Sequence, residues 1–162
     1  MENSMSVYIN ALKDSLSRKL NVVQTLLQLT QEQEALLKQE TLDMEKFNLI
    51  LTEKDKLLRE LSELDKGFEA LFTKCDNELK EKKYLYQSQI LEMQNLIRSV
   101  TDCGIQIEGL EKKNRQQFQQ YLAGARKEIK SFKVNNKTAS SYYQNMANQH
   151  REWQSYFLDQ KK

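Results

Sequence analysis

The sequence predicts an all-α protein: an elongated antiparallel three-helix bundle or helical hairpin with coiled-coil-like packing and a C-terminal amphipathic tail helix. Three observations carry this. The 162 residues hold no proline and four glycines, which leaves little of the turn chemistry that hairpins and sheets require. The composition leans on Leu, Gln, Glu and Lys, which are good helix formers. Apolar residues recur at steps of three and four along most of the chain, the spacing of one helical face. A chain of this length is expected to form one structural unit, since roughly 100–200 residues is the usual size.

The first stripe is Ile9, Leu12, Leu16, Leu20, Val23 and Leu27, which predicts a helix over about 6–39 with Ser4 or Ser6 near its start. Thr41 and Asp43 are the strongest cap residues that follow, so a tight turn or kink is expected there. The second stripe, Phe47, Ile50, Lys54, Leu57, Leu61, Leu64, Phe68, Leu71 and Cys75, alternates steps of three and four. It predicts a heptad seam on a helix over 43–74, interrupted only by Lys54. Asp76 or Asn77 offers a cap for the next helix, over 78–132, whose stripe includes Tyr86, Ile90, Met93, Ile97, Val100, Gly104, Ile107, Leu110, Asn114, Phe118 and Tyr121. Gly104 and Gly109 suit a bend or the close approach of a neighbouring helix. Asn114 at a seam position either fixes register or marks where the seam opens to water.

Three such stripes must be covered, which assigns residues 1–132 to a bundle. Residues 133–162 read as a polar, weakly ordered tail rich in Asn, Gln and Ser. Within it Tyr143, Met146, His150, Trp153 and Phe157 return to three-four spacing, flanked by Tyr142, Tyr156 and Leu158. The sequence offers this aromatic face no evident intramolecular partner, so Tyr142, Tyr143, Met146, His150, Trp153, Tyr156, Phe157 and Leu158 are the expected partner-binding surface. Trp and Tyr are the natural anchors.

Catalytic, metal and cofactor sites are not expected. There is one histidine, no Cys-x-x-Cys, no glycine-rich phosphate loop, and no Glu-x-x-His of the kind di-metal bundles use. The many carboxylates sit in mixed-charge helical runs that read as solvated faces. No run of about 18 apolar residues is present, so no membrane insertion is expected. Met1–Asn10 lacks a basic segment followed by an apolar one, and Glu2 excludes N-myristoylation. Asn136-Lys137-Thr138 is read as a chance sequon. Isolated Cys75 and Cys103 suit a reducing compartment, and a cytoplasmic location follows as the expectation. Residues 1–80 carry a net −4 and residues 81–162 a net +6, for +2 overall. So weak an excess, spread along an outer helix face, argues against a nucleic-acid partner.

The order of parts is itself informative. A leucine-striped first helix leads to Glu40-Thr41-Leu42-Asp43, then to Glu53-Lys54-Asp55-Lys56-Leu57-Leu58-Arg59-Glu60-Leu61. A long helix with Ile107-Glu108-Gly109-Leu110-Glu111-Lys112-Lys113-Asn114 follows, and a polar tail with an aromatic helix ends the chain. This resembles the FlgN-like family of flagellar export chaperones over nearly the whole length, Asn114 being the most family-like position. The tail is more aromatic than the family pattern. The resemblance implies a cytoplasmic chaperone for hook-associated (hook–filament junction) proteins. It also implies delivery to the export gate or the export ATPase, by a monomer or weak dimer. Two alternatives from the residues alone are a scaffold self-associating through the Phe47–Leu71 seam and, more remotely, a basic helical nucleic-acid binder.

Overall fold

A computed structural model describes residues 2–125 and 142–151. Helix α1 spans Glu2–Leu37, α2 spans Met44–Glu81, a 3-10 turn covers Lys83–Leu85, and α3 spans Gln87–Ala125. A fourth helix, α4, occupies residues 142–151. The protein is an all-α bundle. Helices of 36, 38 and 39 residues are each about 55 Å long at 1.5 Å per residue. Among the described residues no helix is long and apolar enough to cross a membrane.

The α1–α2 connection is short because Asp43 caps α2, its side chain accepting from the Lys46 N–H at 3.1 Å. Glu45 in the first turn adds negative charge at the positive end of the helix dipole. Buried Leu42 pins the turn onto the core. Asp43→Ala is expected to cost about 1 kcal/mol, read as a lower urea midpoint with an unchanged slope. An unmoved midpoint would show that the cap bond contributes nothing.

The expected cap at Asp76 or Asn77 is not used. Helix α2 runs on to Glu81 because Cys75 and Leu79 extend its buried stripe, and burial of that stripe outweighs local cap preference. The break falls at Lys82–Tyr86, where the Leu85 and Tyr86 N–H groups bond to the Lys82 and Lys83 carbonyls. The expected end of the third helix, beyond residue 125, lies outside the described residues.

Helix α1 packs closely on both α2 and α3. The residues that face inward follow strict heptads. On α1 they are Ile9, Leu12, Leu16, Lys19, Val23, Leu26, Thr30 and Gln33, and on α3 they include Ile97, Val100, Gly104, Ile107, Glu111, Asn114 and Phe118. On α2 the buried line is Phe47, Leu51, Lys54, Leu58, Leu61, Phe68, Cys75 and Leu79. The seam therefore runs one position away from part of the expected stripe. Ile50, Leu57, Leu64 and Leu71 are half-buried shoulders, as are Leu20, Leu27, Leu110 and Tyr121. On α1 and α3 the inward positions include Lys19 and Glu111, polar residues that find buried partners. On α2 Lys54 belongs to both lines, and the shift is between the adjacent apolar residues Ile50 and Leu51, and Leu57 and Leu58.

Three apolar clusters lie along the bundle. One joins Ile9, Leu12, Phe68, Leu79, Ile90 and Met93 at the end where α2 passes to α3. A middle cluster joins Val23, Leu26, Leu61, Val100 and Ile107 with Tyr143 and Met146 of α4. The third joins Leu42, Leu51 and Leu122 with Phe47 and Phe118, whose rings stack with centroids 4.9 Å apart and planes 7° apart.

Candidate functional site

The tail helix has a place in the bundle. Helix α4 turns Tyr143, Met146 and His150 inward, at the three-four spacing of one face, and all three are buried. Tyr143 and Met146 complete the middle cluster, contributed by all four helices. Gly104 makes the seat possible. A Cβ placed there would collide with Met146 Cε and meet Tyr143 Cδ1 at 3.9 Å, so the missing side chain on α3 is the space α4 occupies. Tyr142 and Tyr143 meet edge to face, with ring centroids 5.6 Å apart. The expectation that this aromatic face lacks an intramolecular partner is thus corrected for residues 142–151. Trp153, Tyr156, Phe157 and Leu158 lie outside the described residues.

A polar chain fastens α4 to each of the other helices. The Tyr142 hydroxyl donates to Asp65 Oδ2 of α2 at 3.0 Å. Asp65 Oδ1 pairs with Lys19 Nζ of α1 at 2.6 Å. Lys19 Nζ lies 2.9 Å from His150 Nε2, and His150 Nδ1 lies 2.7 Å from Thr101 Oγ1 of α3. An ammonium has only donors, so Nε2 accepts and the ring proton resides on Nδ1, donated to Thr101. Thr101 in turn donates to the Ile97 carbonyl at 2.8 Å. Burial, followed by the charge on Lys19, pulls the His150 pKa down to about 3. Burial also lowers the pKa of Lys19, against the pull of Asp65, and raises the Tyr142 phenol well above its ordinary range. The docked helix therefore requires a neutral imidazole.

Helix α4 meets the bundle through one face only. Of residues 142–151, Tyr143, Met146 and His150 are buried and the rest are half-buried or exposed. The Tyr143 hydroxyl is buried with no hydrogen-bond partner among the described residues, a penalty of about 1–3 kcal/mol. Ordering each backbone residue costs about 1–2 kcal/mol more.

A second polar layer separates the middle cluster from the far one. Lys54 Nζ of α2 donates to Gln33 Oε1 of α1 at 2.5 Å and to Glu111 Oε1 of α3, all three residues being buried. Burial lowers the Lys54 pKa while Glu111 opposes it. One layer away, Asn114 Nδ2 donates to the Thr30 carbonyl at 3.1 Å, and Asn114 is fully buried. The seam does not open to water at Asn114; the residue ties α3 to α1. Lys54 as the sole polar member of a heptad was a sequence signal for this layer. Lys19, Asp65, Thr101, Gln33 and Glu111 were not singled out, since one sequence does not show which mixed-charge residue turns inward.

Comparison with known proteins gives one family. A family model described as FlgN protein matches residues 1–151, a span that takes in all four helices. No curated protein and no solved structure matches the chain.

Proposed function

The chain belongs to the FlgN family of flagellar export chaperones, and on that premise we propose that it is a cytoplasmic carrier, not an enzyme, for hook-associated (hook–filament junction) proteins. It shields these clients from premature aggregation and assembly and delivers them to the type III export gate or the export ATPase. It works as a monomer or weak dimer, without nucleic acid, cofactor or membrane insertion.

The observation that carries this reading is the amphipathic α4, a ten-residue helix seated on the bundle by the single face of Tyr143, Met146 and His150. An amphipathic helix that can leave its seat can lay the same apolar face on a client helix, the groove-type recognition by which helices are bound. Tyr142, Tyr143, Met146 and His150 form that face, continued in sequence by Trp153, Tyr156, Phe157 and Leu158. Of the seam that a self-associating scaffold would need, Phe47, Leu61 and Phe68 are buried within the same chain and Ile50, Leu57, Leu64 and Leu71 are half-buried, which favours the carrier. Docking onto the bundle competes with client binding, so apparent affinity scales with the undocked fraction.

The test is co-purification of the intact chain with hook–filament junction proteins; failure would sink this identity. Gly104→Phe fills the seat from α3 and is expected to raise client affinity about tenfold by releasing α4. Truncation after residue 141 is expected to abolish it. Intact binding by the truncated chain would place the client surface elsewhere.

A further inference from the structure

Where α1 ends and α2 begins, the two helices enclose an outer groove. A cleft of about 420 Å³ lies there, lined by Glu32, Ala35 and Leu36 of α1 and by Lys46, Leu49 and Ile50 of α2. Leu49 is 65% exposed, Ala35 is exposed, and Leu36 and Ile50 are half-buried, so the middle of the groove is apolar surface open to water. The buried line of α2 passes through Phe47, Leu51 and Lys54, which leaves Leu49 on the outside. The groove is remote from the α4 seat. Glu32 comes 13 residues after Lys19 on α1, about 20 Å along the helix.

The charges that line the groove are one of each sign. Glu32 and Lys46 are exposed, and neither has an ion-pair partner among the described residues. They stand at opposite ends. The bond from Lys54 to Gln33 sets the neighbouring Glu53 level with Glu32, and Lys46 precedes Glu53 by seven residues, about 10 Å along one face of α2. Exposed Glu53 therefore adds to the negative end. The other carboxylates nearby are engaged or turned aside. Glu34 pairs with Lys38 and Lys113, Asp43 caps α2, and Glu45 lies about 100° around α2 from Lys46. A surface with one sign at each end and an apolar middle is complementary to itself. A two-fold axis in this face, perpendicular to the line from Glu32 to Lys46, sets Glu32 of each copy against Lys46 of the other. A purely acidic or purely basic partner would meet its own sign at one end.

We propose that this groove is the contact surface of a weak two-fold dimer of this chain. Each Leu49 packs into the groove of the other copy, and two Glu32–Lys46 ion pairs flank the apolar contact. A stable interface buries about 800 Å² on each side, more than this groove offers, so the dimer is transient. The site stands independently of client binding by α4.

The test is the mass of the full chain in solution, by sedimentation equilibrium from about 20 μM to about 1 mM. Expected is a monomer–dimer equilibrium with a Kd of about 0.1–1 mM, weakened by added salt. Leu49→Ser, Glu32→Lys and Lys46→Glu are each expected to weaken it about tenfold. The sharpest arm mixes the two charge variants. Glu32→Lys lines the groove with two cations and Lys46→Glu with two anions, so each variant associates poorly alone while an equal mixture dimerises. All three changes are at the surface, Lys46→Glu suits the positive end of the α2 dipole, and an unchanged far-ultraviolet spectrum confirms that each variant folds. The proposal is overturned if the chain stays monomeric at about 1 mM, if the dimer survives Leu49→Ser, or if the mixture fails to dimerise. It is likewise overturned if Leu49→Ser leaves the mass unchanged but abolishes client binding, which would assign the groove to the client.

Discussion

Lys54→Met is expected to destabilise the bundle by about 3–5 kcal/mol, because it leaves the Glu111 carboxylate buried without its cation. Lys54 joins Gln33 of α1 and Glu111 of α3 at one level of the bundle, with all three side chains closed from water. Removing one partner does not refund the desolvation of the other. The companion variant, Lys54→Met with Glu111→Leu, is expected to recover most of the loss, since well-packed apolar replacements of a buried pair are often neutral or stabilising. Urea denaturation of the single and double variants measures both values. A loss below about 1 kcal/mol in the single variant would place the pair in the class of solvent-screened surface bridges. What the pair supplies is register: sliding α2 along its neighbours by one heptad would set Lys54 against apolar residues with no acceptor.

Acidification is expected to release α4 while the rest of the bundle stays folded. Its docked state needs neutral His150, whose pKa is pulled down to about 3 in the seat against an ordinary value of 6.5. The released helix therefore binds the proton that the docked helix excludes. Docking is fully stable above about pH 6.5 and weakens as the pH falls toward 3, by about 1.4 kcal/mol per unit in between. At pH 5 the loss is about 2 kcal/mol, comparable with the burial of one large apolar side chain. The facing groups are Lys19 of α1, Asp65 of α2, Thr101 of α3 and Tyr142 of α4 itself. Burial of the imidazole is the larger cause, and the charge on Lys19 adds to it. Hydrogen exchange at residues 142–151, compared between pH 7 and pH 5, reads the effect once corrected for intrinsic rates. His150→Gln is expected to flatten it. Equal protection at both pH values, or an equal decline in the variant, would remove His150 as the cause.

The helices were legible because their signal is local. Absence of proline and the three-four recurrence of Leu, Ile and Phe require long amphipathic helices whatever surrounds them. The turn at Asp43 was legible too, since its cap lies within three residues of the N–H it satisfies. The site was legible only as a set of residue types. Tyr143, Met146 and His150 share a face by spacing alone, yet their seat depends on a gap at Gly104, 39 residues before Tyr143 in the chain. The stripe took Leu20 over Lys19 because it is apolar. Between Leu26 and Leu27, Ile50 and Leu51, and Leu57 and Leu58 both options are apolar, and local spacing did not separate them.

That choice marks the division. The sequence by itself determined that this protein is helical, where the first turn falls, that the tail carries an aromatic face, and that its pattern is that of a flagellar chaperone family. Each follows from interactions over a few residues or from the ordering of such segments. Only the tertiary structure decided which heptad faces inward, that two layers of buried polar residues divide the core, and that α4 is seated on its own bundle. A charged residue can be buried only where a partner from another helix meets it, and that meeting is a property of the packed chain.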